Sequence, residues 1–330
     1  FKKYSKKEIL DFIKPFKTRF KKNKINAKKL FKGKKCLDFG CGNGRGSLFM
    51  AMNGGKTFHA IDLAKSNIFK TKKVMKQFGY NINTLLSSGE KVPYKNGSFD
   101  FVWCNGVIMH THKPSSVISE IYRVLKPNGK AWIYVYGSGG IWWCVINKFR
   151  KYFSKIKPSK AIAELKKLGY SNRYIAEFLD DWKVLNLRTY KNAKFKKCLK
   201  TVGFKKIIKL NRGLNYDTSE KLFKTKNKIL FGDGDLRYIV KKNEISIGLK
   251  KRNKKILNSI NISHISNEPK LKKYSLILDK LFIAKNNSIT NKISIGAKIQ
   301  YTLRKMTDKK YFNDKLFYSF LKRLLKNSNK

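Results

Sequence analysis

The chain has 330 residues, 42% of them hydrophobic, enough for one large domain with a smaller addition and a real core. Lys and Arg number 76 against 20 Asp and Glu, a net charge of +56. That favours contact with polyanions such as nucleic acid or an anionic membrane, unless the lysines only reflect AT-rich coding. Five cysteines without a CxxC pair or a histidine cluster argue against a disulfide framework or a metal site, and for a reducing, cytoplasmic compartment.

In chain order, residues 5–20 read as an amphipathic helix with Ile9, Phe12, Ile13 and Phe16 on one face, followed by a lysine-rich connector. A regular alternation then begins. Short apolar runs predict strands at Cys36–Phe39, Thr57–Ile61, Ile82–Leu86, Phe99–Cys104 and Ala131–Tyr136, and helical spacing fills 46–53, 64–78 and 115–125. Strands alternating with helices imply an α/β, doubly wound, mostly parallel sheet. Residues 131–147 carry no charge, but Gly137, Ser138, Gly139 and Gly140 interrupt them, which fits a buried strand and a glycine loop better than a bilayer span. No signal peptide is visible after Phe1. Further on, 158–182 and 191–202 read as helices, and Phe204–Leu210 with Leu236–Lys241 as strands that pair antiparallel at an edge. Helical spacing returns at 271–283 and 311–325, in a tail where residues 241–330 hold 23 basic and 5 acidic residues.

The stretch CLDFGCGNGRGS, residues 36–47, places Gly40, Gly42, Gly44 and Gly46 directly after the first strand. A nicotinamide or flavin loop needs GxGxxG, and the sixth position is Arg45 or Ser47 instead. Asp38 beside the loop would repel a pyrophosphate and welcome a cation. S-adenosyl-L-methionine, with an ammonium and a sulfonium, suits that field. Asp62 ends the second strand, where a carboxylate can accept hydrogen bonds from both ribose hydroxyls. Between residues 38 and 104 the acids are Asp38, Asp62, Glu90 and Asp100, so carboxylates at strand ends stand out in a chain this poor in them.

CLDFGCGNG, AIDLA, EKVPYKNGSFDFVWCNGVIMH and SEIYRVLKPNGKAWIYVYG resemble the class I S-adenosylmethionine-dependent methyltransferases, in particular the group called methyltransferase type 11. The likeness covers about residues 33–137 and runs on more weakly through LRTYKNAKFKKCLKTVGFKKI and FGDGDLRYIVKK to about 241. It implies a Rossmann-like, seven-stranded sheet whose last strand is antiparallel, with a basic helical C-terminal extension outside it. It also implies that Asp38, Gly40, Gly42 and Gly44 line the methionine end of the cofactor and that Asp62 binds the ribose. The run Ser87, Ser88, Gly89, Glu90 falls where an Asp and a small residue commonly meet the adenine, with Ser88 in place of the Asp. Asn105 and Gly106 follow the fourth strand, where the methyl group points. The organisation expected is an N-terminal helix and connector (1–32), a methyltransferase domain (33–241) with an acceptor-covering segment (137–190), and a Lys-rich extension (242–330).

Methyl transfer to oxygen gains from a general base, and His110, with His112 behind it, is the candidate; capping or packing against the next helix is the competing role. The Asn/Asp-Pro-Pro-aromatic run of nucleobase amino methylation is replaced by NGVI, and no Pro-Cys nucleophile is present. A small-molecule acceptor is therefore expected, most readily at oxygen. The segment 137–190 is aromatic, with Trp142, Trp143, Tyr170, Phe178 and Trp182, and either contacts the acceptor, aided by Asp180 and Asp181, or packs its rings inward as a helical lid. Two other readings stay open: a basic RNA- or membrane-binding module on this fold, and an RNA methyltransferase.

Overall fold

The computed structural model describes residues 5–183, 186–243, 269–283, 288–308 and 314–328. Residues 244–268, and Tyr311 and Phe312 of the helix expected over 311–325, lie outside them. The elements begin with α1 (Lys6–Lys22), α2 (Ala27–Phe31), β1 (Lys35–Phe39), α3 (Arg45–Met52), β2 (Thr57–Asp62), α4 (Lys65–Gln77), β3 (Asn83–Leu86) and β4 (Phe99–Asn105). A 3-10 turn (Ile108–His110), α5 (Pro114–Val124), β5 (Leu125–Tyr136), α6 (Gly140–Phe153), α7 (Pro158–Lys167), α8 (Asn172–Lys183) and α9 (Asn192–Val202) follow. The chain then runs through β6 (Phe204–Leu210), α10 (Thr218–Thr225), α11 (Lys228–Phe231), β7 (Asp235–Lys242), α12 (Pro269–Ile283), α13 (Ile289–Asp308) and α14 (Asp314–Ser328). Two compact units divide the chain: unit one is Phe1–Gly137, Arg188–Glu220 and Asp235–Ile262, and unit two is Ser138–Leu187, Lys221–Gly234 and Ser263–Lys330.

Unit one holds a seven-stranded sheet in the order β3-β2-β1-β4-β5-β7-β6. All neighbours are parallel except β7, which is antiparallel to both β5 and β6. The order reverses between β1 and β4. In an open α/β sheet, the helices leaving such neighbours cover opposite faces and open a crevice at the strands' carboxyl ends. Both faces are apolar. On one, Phe16 and Phe20 of α1 and Phe49 of α3 cover Trp103 and Trp132, whose rings stack 4.7 Å apart. On the other, Val117 and Ile121 of α5 and Phe195 and Leu199 of α9 cover Leu37, Val102 and Ile133.

Three local differences from the sequence expectations have physical causes. The fifth strand starts at Leu125, which pairs with Phe99, while Lys130 pairs with Phe101; Pro127–Gly129 form a bulge inside the strand rather than a boundary before it. The lysine-rich connector contains α2, capped by the Asn26 side chain accepting from the Lys29 N–H (2.9 Å) and held by buried Leu30 and Phe31. Past the glycines at 137–140, the uncharged run continues as α6, burying Ile141, Val145, Ile146 and Phe149 on one face.

Unit two is helical among its described residues. Its core is aromatic: Trp182 stacks on Phe178 at 5.6 Å and on Phe153 at 4.5 Å, and donates its Nε1–H to Gln300 at 2.8 Å. The rings of the segment after β5 thus face inward. Asp181 is held by Arg304 at 3.0 Å within this unit, and Asp180 lies outside the described side chains. Among the described residues, no helix is long and apolar enough to cross a membrane.

Candidate functional site

The glycine loop leaves β1 at the point where the sheet order reverses. The N–H groups of Gly40 and Cys41 both donate to the Ile61 carbonyl (2.9 and 3.0 Å), so the loop is tied to the end of β2 at once. Gly44 starts α3 in the left-handed region (φ 79°), where a Cβ would also sit 3.0 Å from the Thr71 Cα. No side chain at that position caps the helix. Asp38, from the strand below, does so instead: its Oδ2 accepts from both the Ser47 N–H and the Ser47 hydroxyl at 2.7 Å. Gly46 permits this reach, since a Cβ there would lie 2.5 Å from Trp103 and 2.9 Å from Asp38 Oδ2.

Asp38 is only 2% exposed. Burial pushes its carboxyl up to about 6, against the two Ser47 bonds that favour the charged form. A buried carboxylate short of counter-charge is a place where a cation gains most. Asp62 sits differently. Its Oδ2 accepts from the Gly42 N–H (2.9 Å), and its Oδ1 from the Ala64 N–H (2.9 Å) and Asn67 Nδ2 (3.1 Å). It is half-buried and fastens the glycine loop to β2. A carboxylate offers roughly four acceptor sites, so capacity remains for a ligand hydroxyl.

The loop after β3 is tied to the same corner, because the Ser87 N–H donates to the Asp62 carbonyl (3.0 Å). Ser88 Oγ accepts from the Glu90 N–H at 3.2 Å, a local turn. Gly89 lies so close to Phe39 that a Cβ would meet its ring at 2.4 Å. Glu90 Oε1 accepts from the Lys113 N–H at 2.9 Å, which joins this loop to the start of α5. Asn105 is the last residue of β4 rather than the first after it, and accepts from Trp132 Nε1 (3.0 Å); the Gly106 N–H that follows donates to the Tyr134 carbonyl (3.2 Å). His110 ends the 3-10 turn with its ring edge-on to Tyr136 at 5.9 Å. His112 is exposed.

Several residues at this end of the sheet had no role in the sequence reading. Leu63 and Leu86 are 72% and 61% exposed, beside Asp62, and Leu86 is the β-register partner of that carboxylate. The Arg188 guanidinium donates to the carbonyls of Thr111 and of His112 (3.3 Å), and the Arg188 backbone N–H donates to the Met109 carbonyl (3.0 Å), fixing the loop that carries both histidines. In the strand row Asn105–Tyr134–Arg237, the Tyr134 hydroxyl donates to Asp235 at 3.1 Å. Arg237 pairs with Asp235 (3.1 Å) and Asp217 (3.3 Å), and Arg19 of α1 forks onto Asp217 at 2.7 and 2.8 Å. Burial pushes the Asp235 carboxyl up, but Arg237 and Arg19 outweigh it and hold it below the usual carboxylate range. These partners are up to 198 residues apart. A sequence offers no local signal for them.

The chain is similar to several known proteins. Residues 37–133 match the family described as "Methyltransferase domain". This match lies within unit one and spans β1 to β5 of its seven-stranded, mostly parallel sheet, so that part of the chain is similar to a methyltransferase domain. Among curated proteins, the chain is 28% identical over 146 residues to phosphoethanolamine N-methyltransferase 2 of Caenorhabditis elegans, covering 42% of this chain and 33% of that one. It is 35% identical over 104 residues to the ubiquinone biosynthesis O-methyltransferase of Thiobacillus denitrificans, covering 31% and 43%. The chain thus spans about a third to a half of the length of the curated relatives it matches. A solved S-adenosylmethionine-dependent methyltransferase from Thermotoga maritima is similar with a TM-score of 0.41 at 15% identity, covering 72% of this chain and 95% of that one.

Proposed function

We propose that the chain binds S-adenosyl-L-methionine at the carboxyl ends of β1, β2 and β4 and transfers its methyl group to a small-molecule acceptor at oxygen. The observation that carries this reading is the pair of carboxylates bracketing the glycine loop: Asp38 buried under α3, Asp62 half-buried with acceptor capacity left. The residues present fit the cofactor. Asp38 supplies negative potential to the amino-acid end, through the loop it braces rather than by direct contact. Asp62 accepts from the ribose. Leu63 and Leu86 offer exposed apolar surface beside it for a purine, with Ser88, Gly89 and Glu90 framing the far side. Bound there, the cofactor supplies an electrophilic methyl on a sulfonium.

Gly40, Gly42 and Gly44 let the backbone approach the ligand, and Asn105 and Gly106 form the edge toward which the methyl is directed. The chain's work is then mostly positioning. The bound cofactor would supply its methyl group to the acceptor oxygen, and the chain has to take up the proton which that oxygen loses. The acceptor proton passes to His110, at the end of the turn that Arg188 steadies. We place the reaction in the cytosol, where the five free cysteines remain thiols.

The test is turnover with methyl-labelled cofactor and two acceptor panels, hydroxylated aromatics and primary amines. Label in the hydroxylated panel, with His110→Gln lowering kcat about 10²-fold or more at unchanged cofactor affinity, is expected. Label confined to amines would overturn oxygen transfer, and cofactor binding without any turnover would favour a binding module.

A further inference from the structure

Unit two turns a face outward that differs in kind from its core. On α12 the exposed residues are Lys272, Lys273, Leu276, Lys280 and Ile283, one stripe at helical spacing in which basic and aliphatic side chains alternate. Leu276 is 52% exposed and Ile283 64%. The acid of this helix, Asp279, lies at the flank of the stripe with its side chain 26% exposed, and its charge is taken up by Lys148 at 2.5 Å, with a further bond from the Tyr152 hydroxyl at 2.7 Å. α14 extends the face. Its Phe317 stacks on Tyr274 of α12 at 6.2 Å, and Tyr318 is flanked by Lys273 and Lys322, each 5.1 Å from its ring centroid. Its exposed side chains include Lys315, Leu316, Lys322, Arg323 and Lys326. Among the described side chains of the two helices, which do not include that of Asp314, none that is exposed is acidic.

We propose that this face lays unit two on an anionic lipid surface. The charge is complementary to acidic headgroups, and the aliphatic side chains sit within the basic stripe, where they reach past the headgroups to the acyl boundary. A nucleic acid would engage the lysines equally well but gain nothing from Leu276 and Ile283. Neither helix is long and apolar enough to span. The mode is therefore peripheral, with the long lysine stems lying along the surface beside the aliphatic groups. The inference is independent of the methyl-transfer reading, since it concerns other residues and a readout without cofactor.

The experiment is co-sedimentation of the full chain with vesicles of phosphatidylcholine alone or of equimolar phosphatidylcholine and phosphatidylglycerol. Wild type is compared with Leu276→Ser/Ile283→Ser and with Lys272→Gln/Lys280→Gln. All four positions are exposed, so unchanged near-ultraviolet circular dichroism is expected and checks the fold. The proposal expects binding to the anionic vesicles only, weakened about tenfold by either pair, with the lysine pair also flattening the salt dependence. Three outcomes overturn it: no vesicle binding by wild type, binding unaffected by both pairs, or binding that depends on the lysines and not on Leu276 and Ile283. The last would mark a general polyanion surface.

Discussion

The two units use their few acids differently. In unit one, carboxylates organise backbone N–H groups and arginines around the carboxyl edge of the sheet: Asp38 on Ser47, Asp62 on Gly42, Asp217 and Asp235 on Arg19 and Arg237. In unit two, Asp279 meets Lys148, while Glu177 and Asp181 meet Arg304, and the outward face of α12 and α14 is left basic. The lesson is that a net charge of +56 is not one property. In unit one the acids mark built polar structure, and in unit two they are paired off with Lys148 and Arg304 while the remaining basic side chains become a surface.

The sharpest way to break this comparison is to remove one arginine from each unit. Arg237 is 3% exposed between two buried aspartates; Arg237→Ala leaves Asp217 to Arg19 but takes the ion-pair partner from Asp235, and should cost about 3–5 kcal/mol. Arg304 has a side chain 26% exposed, and Arg304→Ala should cost only about 1 kcal/mol. Equal losses in chemical denaturation would end the distinction. Next in size is Gly46→Ala. Its Cβ must displace Trp103 or Asp38, for a loss of about 1–3 kcal/mol and weaker cofactor binding.

Acid titration sharpens the same contrast within unit one. Burial pushes the Glu220 carboxyl up, but Arg212, the Gly213 N–H and Lys22 outweigh it and hold it at about 2. The stability it contributes is present above about pH 4.5 and is lost as pH falls toward 2. Asp38 has the opposite sign. Raised to about 6, it favours the folded state most below pH 4, and that contribution is lost as pH rises through 6. Glu220→Gln should therefore blunt the loss of thermal stability in acid. Asp38→Asn should raise stability above pH 6 by about 1–3 kcal/mol while weakening cofactor binding, a trade of stability for function. Thermal unfolding between pH 3 and 8 reads both. The smallest effect is that of Leu276→Ser/Ile283→Ser on folding, within about 0.5 kcal/mol at exposed sites.

Much of unit one was legible because its signals are local. Apolar runs placed β1, β2, β4 and the paired β6 and β7 within about two residues, and the strands placed Asp38 on β1, where the sheet order reverses, and Asp62 at the end of the adjacent β2. What escaped was non-local or disguised. Asp38 finds Ser47 only when Gly46 lets α3 close over the strand. Arg188 reaches a loop 76 residues earlier, and the Asp217–Arg19 pair spans 198. In unit two, α13 was missed because Ile, Thr and Ser dilute its helical spacing, and α6 because its four glycine-rich predecessors suggested a loop.

The central claim, that the carboxylates around the glycine loop form a cofactor site, is tested most directly by calorimetric titration with S-adenosylhomocysteine. Wild type and Asp62→Ala would be compared at low and high salt. Micromolar binding that hardly changes with salt and is lost in the variant is expected, because Asp62 fastens Gly42 and is the group proposed to accept from the ribose. Absence of binding by folded wild type, or equal binding by Asp62→Ala, would contradict it.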